Sequence, residues 1–349
     1  MRISFFIGSM IRGGAERVIS LLANHYCRLG WEVDIVLLLV NQVEYDLDDR
    51  IRIVDMTLKG SSYAKKAIGW FRSIRAYLKE RSPDRVVSFI ARINALVLTA
   101  ALGLKMNTVV SERNDPKRDG RGRVMQAYCN LIYRTAASVV YQTAYEKACF
   151  SRSLENKGVI IANPVSVTVK KQTTNGVFQI VTAGRLAEQK NHVMLVRAVA
   201  AVQAKGRQVV CNIYGEGPYR KQIEDAIREC GMQNIVTLQG NVKDIHRRLS
   251  TASLFVMTSN YEGLSNALIE AMMMGLPCIT TDYDGANELI RDGENGLIVA
   301  RNDPEGLAHA ILRVMEEDGL AARLGNNAEQ SAETYKSETV LAQWEKVIG

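Results

Sequence analysis

Short apolar runs alternate with amphipathic helical segments along nearly the whole 349-residue chain. Residues 33–40 form an almost unbroken hydrophobic run, which is typical of a parallel strand covered on both faces of its sheet. Residues 63–81 have apolar positions at helical spacing and end before Pro83. Because repeated strand–helix–strand units build parallel sheets, the pattern predicts an α/β fold.

This alternation runs through the chain twice, and 349 residues exceed what one core usually supports. We predict a Rossmann-like domain over residues 1–165 and a second over 178–330. The polar segment 166–177 has no periodicity and is predicted to be an interdomain linker. Residues 331–349 are predicted to form a C-terminal helix, with Trp344 as an apolar anchor, that packs back toward the N-terminal domain.

The cysteines and the hydropathy pattern exclude several classes of protein. The six cysteines are scattered without metal-ligand spacing, so neither a zinc site nor a disulfide framework is expected. The N-terminal apolar run lacks a cleavage site and is interpreted as a first strand, and no run approaches the roughly 18 residues of a membrane-spanning helix. We therefore expect a cytoplasmic protein.

Charge is distributed unevenly between the two halves. Residues 1–172 contain 27 Lys and Arg against 15 Asp and Glu, a net +12, whereas residues 173–349 contain 17 against 22, a net −5. A basic half of this kind predicts a polyanionic partner, for which nucleic acid and an anionic membrane both qualify. A solvated basic surface without a partner is the alternative.

Glycine loops follow several predicted strands. Gly13 and Gly14 come after the first strand and open a helix, where unpaired backbone N–H groups favour an anion, although a purely structural turn explains them equally well. Gly215 and Gly217 lie in a turn after another strand, which either admits a base or ribose or is an ordinary turn. The first loop does not match a dinucleotide-binding fingerprint, because its third glycine is missing.

Cations follow the first strand of the second series. Gly184 ends that strand, Arg185 comes next, and Lys190 lies five residues later. The carboxyl ends of parallel strands form the ligand-binding edge of open α/β sheets, and two cations there suit a diphosphate. A surface ion pair with Glu188 is the alternative for either cation taken alone.

The segment 258–271, TSNYEGLSNALIEA, joins a buried strand to a buried helix. Glu262 and Gly263 fall in the loop, and Glu270 falls on the helix. A strand, a polar glycine turn and a helix N-terminus form a site for an anionic ligand.

Taken in order, the motifs GGAER, AGRLAEQKN, YGEGP, EGLSNALIE, GLP and DGANELI resemble the large family four of retaining glycosyltransferases. The resemblance covers essentially the whole chain. It implies a GT-B fold, with two facing Rossmann-like domains and a cleft between them, and transfer of a sugar from a nucleotide-sugar, UDP-linked in the expected case. It also implies a reaction that retains anomeric configuration and requires neither a metal nor another cofactor.

The resemblance also implies residue roles. Arg185 and Lys190 would hold the donor diphosphate, Glu270 the ribose hydroxyls, and Glu262 the hexose. Backbone groups beside the hexose and the phosphate would come from Gly263, Leu264, Ser265 and Asn266. Glu262, Arg185 and Lys190 are thus the candidate catalytic residues, and the glycine loops at residues 13–14, 184, 215 and 217 complete the candidate donor site.

One feature departs from the family pattern. Many relatives have a histidine in an N-terminal-domain loop, whereas the comparable loop here has Arg113 after Glu112. These two residues end a strand and are expected to face the cleft. The four histidines, at 25, 192, 246 and 309, are interpreted as solvated helix positions.

The basic N-terminal half is expected to bind the acceptor. Its predicted helix 63–81 combines cations with aromatic residues, among them Lys65, Lys66, Arg72, Arg75, Lys79, Trp70, Phe71 and Tyr77. The loop 112–123 is interpreted as too polar to pack, and it adds further cations, among them Lys117, Arg118, Arg121 and Arg123. Similarity to bacterial enzymes of O-antigen, capsule or protein-glycan assembly implies a polyprenyl-diphosphate-linked saccharide acceptor at an anionic membrane surface.

Two other functions fit parts of the sequence. A nucleotide-sugar epimerase would share the GT-B fold and would convert the donor without any acceptor. A nucleic-acid-binding protein would account for the charge, but it would need basic and aromatic residues interleaved on an exposed sheet or groove. The sequence does not predict such a surface, so no nucleic-acid partner is expected.

Overall fold

The computed structural model describes residues 1–11, 13–58, 63–172 and 176–349, except the side chains of residues 63–65 and 155, and has two α/β units. The first unit contains Met1–Pro164 and Glu338–Gly349, and the second contains Val165–Ser337. Each unit has its own parallel sheet with helices packed on it. The prediction of two Rossmann-like α/β domains is therefore confirmed.

The sheet of the first unit has seven strands in the order β3-β2-β1-β4-β5-β6-β7. They are β1 (Arg2–Ile7), β2 (Glu32–Leu37), β3 (Arg52–Asp55), β4 (Arg85–Phe89), β5 (Asn107–Ser111), β6 (Ser138–Tyr141) and β7 (Gly158–Ile160). Strand order reverses between β1 and β4, so the carboxyl ends of these two neighbours border the crevice in which ligands of such sheets bind.

Among the described residues of this unit, five α-helices connect these strands, and a sixth comes from the C-terminus. They are α1 (Gly14–Arg28), α2 (Tyr63–Arg81), α3 (Ala91–Ala101), α4 (Gly122–Ile132), α5 (Ala144–Ala148) and α13 (Ser337–Ile348). Val340, Trp344 and Ile348 of α13 are buried in the core around β1, and the Trp344 ring stacks on Phe89 with centroids 5.8 Å apart. The last helix thus completes the core of the first unit.

The sheet of the second unit has six strands in the order β10-β9-β8-β11-β12-β13. They are β8 (Phe178–Ala183), β9 (Val209–Tyr214), β10 (Val236–Gly240), β11 (Leu254–Met257), β12 (Cys278–Thr281) and β13 (Leu297–Val299). Here the order reverses between β8 and β11. The loops after these two strands therefore border the ligand-binding crevice of this unit.

In the part of the second unit that the structure describes, seven α-helices cover the sheet. They are α6 (His192–Ala204), α7 (Arg220–Glu229), α8 (Ile245–Ser250), α9 (Asn266–Met273), α10 (Ala286–Leu289), α11 (Pro304–Glu316) and α12 (Leu320–Ala332). Local signals place their ends: Asp303 caps α11 by accepting from the Gly306 N–H at 2.9 Å, and Pro304 supplies the first turn.

The segment predicted as a linker is part of the second unit over its described residues. Val165 donates its N–H to the Tyr335 carbonyl at 2.9 Å, and Gln172 donates to the Ser250 carbonyl at 2.7 Å. Val167 packs against the hydrophobic core of that unit. Residues 173–175 lie outside the described part of the chain. The chain returns to the first unit between residues 337 and 338. The predicted start of the C-terminal segment at residue 331 is therefore too early.

Helix α2 differs from its expected role as a cationic aromatic surface. Trp70 is buried and donates its indole N–H to the Met56 carbonyl at 3.1 Å, and Tyr77 donates to the buried Asp34 carboxylate. Arg75 donates to the carbonyls of Ala100 and Leu102 at the end of α3. These groups stabilise the fold of the first unit. The side chain of Lys65 lies outside the described residues.

Within the described residues, each helix is too short or too polar to cross a bilayer.

Candidate active site

An ion pair between two loops marks the crevice of the second unit. Lys190, after β8, places its ammonium 2.5 Å from the carboxylate of Glu262, after β11. Both side chains are largely buried, with exposed fractions of 16% and 10%. Because β8 and β11 are the neighbours at which strand order reverses, the pair lies at the position where ligands of open α/β sheets bind.

Hydrogen bonds hold these two loops together. The Asn260 N–H donates to the Gln189 carbonyl at 2.7 Å, and the Gln189 side chain donates to the Tyr261 carbonyl at 2.9 Å. The Thr258 hydroxyl donates to the carbonyl of Lys190 at 2.9 Å. The backbone on both sides of the ion pair is therefore fixed before any ligand arrives, which preorganises the site.

Glu262 is oriented by a second polar contact. The Ser259 hydroxyl donates to the same carboxylate oxygen that contacts Lys190, at 2.7 Å. Ser259 is fully buried, and its carbonyl accepts from the Thr281 hydroxyl at 2.5 Å. The second oxygen of Glu262 is not used in these contacts. A carboxylate of this kind can accept hydrogen bonds from hydroxyl groups of a ligand.

Arg185 and His192 flank Lys190 in sequence. Arg185 is exposed, directly before the buried Leu186. His192 begins α6 and is 3% exposed, so the expectation of a solvated histidine is wrong at this position. Burial and, to a smaller extent, the nearby Lys190 ammonium lower the pKa of His192 to about 4. Its ring is therefore neutral at physiological pH, and the positive charge of this loop comes from Arg185 and Lys190.

Close approach of other backbone explains two of the predicted glycines, and a third glycine packs against a side chain. A Cβ at Gly215, where φ is +135°, would lie 2.0 Å from the Gly184 carbonyl oxygen. A Cβ at Gly217 would lie 2.3 Å from the Leu186 carbonyl oxygen, and one at Gly184 would lie 3.1 Å from Lys190 Cε. The turn after β9 thus packs against the loop that carries Arg185 and Lys190. Of the two sequence-based interpretations, this contact favours the structural one for Gly215 and Gly217.

The loop after Glu262 leads into α9. Ser265 caps this helix, because its hydroxyl accepts from the Leu268 N–H at 3.4 Å. The Ser265 side chain therefore stabilises the fold. Gly263 and Leu264 precede it in the loop. Asn266 is the first helical residue, and its N–H belongs to the turn whose backbone donors favour an anion.

Glu270 lies one turn further along α9 and faces a histidine. Its carboxylate is 3.6 Å from the His246 ring nitrogen Nε2, and both side chains are largely buried. His246 comes from α8 and is also 3.5 Å from the Thr168 hydroxyl. Glu270 is therefore positioned by its neighbours, and the interpretation of His246 as a solvated position is wrong.

Gly13 and Gly14 lie in the first unit, at the start of α1. The N–H and the carbonyl of Gly13 both hydrogen-bond the Tyr45 hydroxyl, at 3.0 and 2.8 Å. A Cβ at Gly13 would lie 2.3 Å from a carboxylate oxygen of Glu16. The glycine therefore lets the Glu16 carboxylate fold over the backbone at the carboxyl edge of the first sheet.

The loop 112–123 is only in part the solvated basic segment that its composition suggested, with Lys117, Arg118 and Arg123 exposed. Arg121 has a side chain only 2% exposed, and it contacts Glu112 at 2.5 Å and Asp119 at 2.6 Å. Tyr133 also donates to Glu112, whose pKa is raised by burial against the opposing effect of Arg121. Internal ion pairing thus removes Arg121 from the basic surface. The expectation that Glu112 faces a cleft is wrong, because it is fully buried.

Arg113 is buried as well. Its guanidinium lies over the rings of Phe89 and Trp344, 5.2 and 5.4 Å from their centroids, and donates to Asn163 at 2.8 Å. Burial lowers the pKa of Arg113 to about 10. Arg113 therefore helps hold α13 on the first unit, and it too fails the expectation of a cleft-facing residue.

Sequence reasoning missed three contributors to this site. Ser259 lies within the segment that was singled out, but a serine before an acidic loop has no distinctive spacing. Thr281 and His246 are brought to the site from β12 and α8, and neither belongs to a local pattern. Only their tertiary contacts identify them.

Two family models match the chain. The model "Glycosyl transferase 4-like domain" matches residues 13–163, and the model "Glycosyl transferases group 1" matches residues 168–331. Together they span most of both units.

Among curated proteins, the chain is similar to two enzymes of Campylobacter jejuni. It is 28% identical, over 100% of its own length and 98% of the relative's, to GalNAc-alpha-(1->4)-GalNAc-alpha-(1->3)-diNAcBac-PP-undecaprenol alpha-1,4-N-acetyl-D-galactosaminyltransferase. It is 25% identical, over 96% and 95% of the two lengths, to N-acetylgalactosamine-N,N'-diacetylbacillosaminyl-diphospho-undecaprenol 4-alpha-N-acetylgalactosaminyltransferase.

Among solved structures, the chain superimposes on Anabaena Alr3699/HepE in complex with UDP, with a TM-score of 0.85, 19% identity and 99% of each chain covered. The lipopolysaccharide outer core galactosyltransferase WaaB in its apo form gives a TM-score of 0.79 at 19% identity, over 100% of this chain and 99% of the other. At this identity the likeness shows a shared fold.

Proposed function

Because this chain belongs to the glycosyltransferases described by the 4-like and group 1 models and has the GT-B fold, we propose that it extends a lipid-linked saccharide. The donor is a UDP-linked hexose or N-acetylhexosamine, and the acceptor is a saccharide on a polyprenyl diphosphate. The two Campylobacter relatives, whose names specify undecaprenol-linked substrates and transfer of N-acetylgalactosamine, support this choice. The UDP complex of the Anabaena protein supports the nucleotide.

The observation that carries the proposal is the contact between Lys190 and Glu262. When the donor binds, its diphosphate replaces Glu262 as the partner of the Lys190 ammonium, and Arg185 contacts the same diphosphate. Phosphate oxygens are strong acceptors for cationic donors. Glu262 is then available to the hydroxyl groups of the transferred sugar. The ion pair keeps both groups in place before binding, so less ordering is required when the donor arrives.

The remaining donor contacts follow the same chemistry. Glu270 accepts from the ribose hydroxyls, with His246 holding its carboxylate. Backbone N–H groups at the start of α9, around Ser265 and Asn266, complete the phosphate site together with the loop at Gly263 and Leu264.

In the proposed reaction, an acceptor hydroxyl attacks the anomeric carbon from the face that the leaving diphosphate occupies. The bond from the anomeric carbon to the β-phosphate oxygen breaks, and the hydroxyl proton passes to an oxygen of that phosphate. The configuration is retained. Arg185 and Lys190 stabilise the charge that develops on the leaving phosphate, which is the role a metal ion has in other transferases. The proposal therefore requires no metal cofactor.

We further place the enzyme in the cytoplasm at the inner face of the cell membrane, with α4 as the contact. Val124, Tyr128 and Leu131 are exposed at helical spacing on α4, the first and last with exposed fractions of 87% and 61%. Arg123 and Arg134, at the two ends of this apolar stripe, are exposed cations. Apolar side chains flanked by cations suit an anionic lipid surface. This assignment replaces α2, where Trp70 is buried and Phe71 and Tyr77 are half-buried.

The experiment that tests the function incubates the purified protein with UDP-, GDP- and ADP-linked sugars, with and without EDTA, and measures donor hydrolysis. We expect hydrolysis of one or more UDP-sugars that EDTA does not abolish. Conversion of the donor sugar to its epimer would instead identify an epimerase. Absence of any reaction and of any thermal shift with UDP would contradict the proposal.

A further inference from the structure

The first unit contains a second crevice at its own strand reversal. A cavity of about 230 Å³ opens between the carboxyl ends of β1 and β4. These two strands are neighbours in the sheet, although β2 and β3 lie between them in the sequence. Gly8 and Ser9 follow β1, and Ile90 and Arg92 follow β4. Its position is equivalent, within its sheet, to that of the Lys190–Glu262 pair in the second unit.

A strained residue shapes this cavity. Ile90 has φ +75°, a left-handed conformation that is unfavourable for a β-branched side chain. Its N–H donates to the Ser111 carbonyl at 3.0 Å, and its carbonyl accepts from Asn94 at 2.9 Å, so neighbouring backbone enforces the conformation. Helix α3 follows directly, and its residues Ile93 and Leu96 line the cavity together with Ile90. Strain of this kind concentrates at binding sites.

The cavity has apolar walls and a small polar portion. Leu38, Leu39, Trp70 and Leu96 supply apolar surface, whereas Glu16 supplies a carboxylate. Burial raises the pKa of Glu16.

Arg92 adds a guanidinium at the same opening, where it donates to the Gly120 carbonyl at 3.2 Å. The cavity therefore offers a carboxylate acceptor and a guanidinium donor, together with the Ser9 hydroxyl, beside an apolar wall. Its volume is below the roughly 300–1,000 Å³ of pockets that enclose a whole drug-sized ligand, so it suits one substituent of a larger molecule.

We propose that this cavity binds the acetamido group of an N-acetylhexosamine at the end of the acceptor glycan. The methyl group contacts Leu39 and Leu96, the amide N–H donates to Glu16, and the amide carbonyl accepts from Arg92. The inference rests on the proposed function for the identity of the acceptor. The inference adds the class of the terminal acceptor sugar. A terminal hexose has a hydroxyl group in place of the acetamido group and would leave the apolar wall of the cavity uncovered.

A direct binding experiment tests the cavity without any transfer reaction. Ligand-observed saturation-transfer NMR is recorded with methyl glycosides of N-acetylgalactosamine and N-acetylglucosamine, and with those of galactose and glucose. We expect the strongest saturation on the acetamido methyl protons and about tenfold weaker binding of the hexosides. Equal binding of the two classes, or no acetamido signal, would overturn the proposal.

Variants locate the binding. Leu96→Phe reduces the space at a half-buried position of the cavity, and Glu16→Ala removes the acceptor of the amide N–H. Both are expected to abolish the acetamido preference, whereas Glu16→Gln, which keeps a carbonyl oxygen, retains part of it. Leu29→Phe, at an exposed leucine after α1, is the matched control and is expected to bind as the wild type does. An unchanged preference in Leu96→Phe and Glu16→Ala would contradict the assignment.

Transfer assays separate this inference from the proposed function. Farnesyl-diphosphate-linked N-acetylgalactosamine and galactose are compared as acceptors, and UDP-sugar hydrolysis is measured in parallel. Hydrolysis that persists while both acceptors react equally contradicts the cavity assignment alone. Selective acetamido binding without any use of a UDP-sugar contradicts the proposed function alone.

Discussion

Lys190 and Glu262 contact each other at 2.5 Å from loops that follow two different strands of the second sheet. The pair is held between a buried serine and a hydrogen-bonded backbone, in the crevice where strand order reverses. A cation and a carboxylate in this arrangement match the two ends of a sugar diphosphate, and they are the basis of the first prediction.

Lys190→Ala should weaken UDP binding by about 2 kcal/mol, close to thirtyfold, because a charge-assisted hydrogen bond contributes about 1.5–3 kcal/mol. Glu262→Gln should leave UDP affinity within a fewfold of the wild type and lower kcat for UDP-sugar hydrolysis by about a hundredfold or more. Calorimetric UDP titration and steady-state kinetics measure the two effects.

Lys170→Ala is the matched control, since Lys170 forms an exposed ion pair with Glu329 in the same unit. It should change neither quantity. Wild-type UDP affinity in Lys190→Ala would refute the diphosphate role, and wild-type turnover in Glu262→Gln would refute the role of the carboxylate.

Gly215→Ala should destabilise the second unit by more than about 2 kcal/mol, because its Cβ would lie 2.0 Å from the Gly184 carbonyl oxygen at a strained φ. Gly206→Ala is the control: φ is +76° there, but no atom lies within 4 Å of the added Cβ. It should cost only about 1 kcal/mol. Differential scanning calorimetry compares the transitions, and equal shifts for the two variants would show that the close approach is unimportant.

Asp34 should make stability depend on acid pH. Burial of this carboxylate opposes ionisation, but hydrogen bonds from Arg52, Tyr77 and Arg81 outweigh burial and lower its pKa. Since the folded pKa is below the unfolded value of about 3.9, the stabilisation is fully present above that pH and is lost as pH falls through the folded pKa.

Asp34→Asn should therefore lower the free energy of unfolding by about 2–3 kcal/mol at pH 7, with a smaller difference from the wild type at pH 3. Urea denaturation of the first unit, followed by Trp fluorescence, measures both. A difference that stays constant from pH 7 to pH 3 would exclude this carboxylate as the titrating group.

Leu131→Asp should reduce binding to vesicles that contain anionic lipid by about tenfold, because burial of a leucine in the interface contributes about 1.5–3 kcal/mol. Leu29→Asp, at a leucine of similar exposure, should bind as the wild type does. Co-sedimentation at low and high salt measures both variants, and the wild type should bind less at high salt. Equal loss in the two variants would remove α4 as the contact.

Local patterns in the sequence were sufficient to predict the strands, helices and site loops of much of the second unit. Glycine turns and helix starts depend on neighbouring residues, so the loops that carry Arg185, Lys190 and Glu262 could be located without coordinates. The partners of these residues could not be located, since Thr281 and His246 come from separate elements. Roles assigned to the backbone at Gly263 and Asn266 stay predictions.

The sequence by itself determined the α/β alternation, the duplication and the family, because apolar periodicity and turn chemistry act over a few residues. Tertiary structure decided which charges are available: Arg121 and Arg75 are used within the first unit, while Arg123 remains exposed. It also decided that Trp70 is a core residue and that Glu16 and Arg92 share a cavity. The physical reason is that neutralisation and burial depend on partners far apart in the chain, and their proximity exists only after folding.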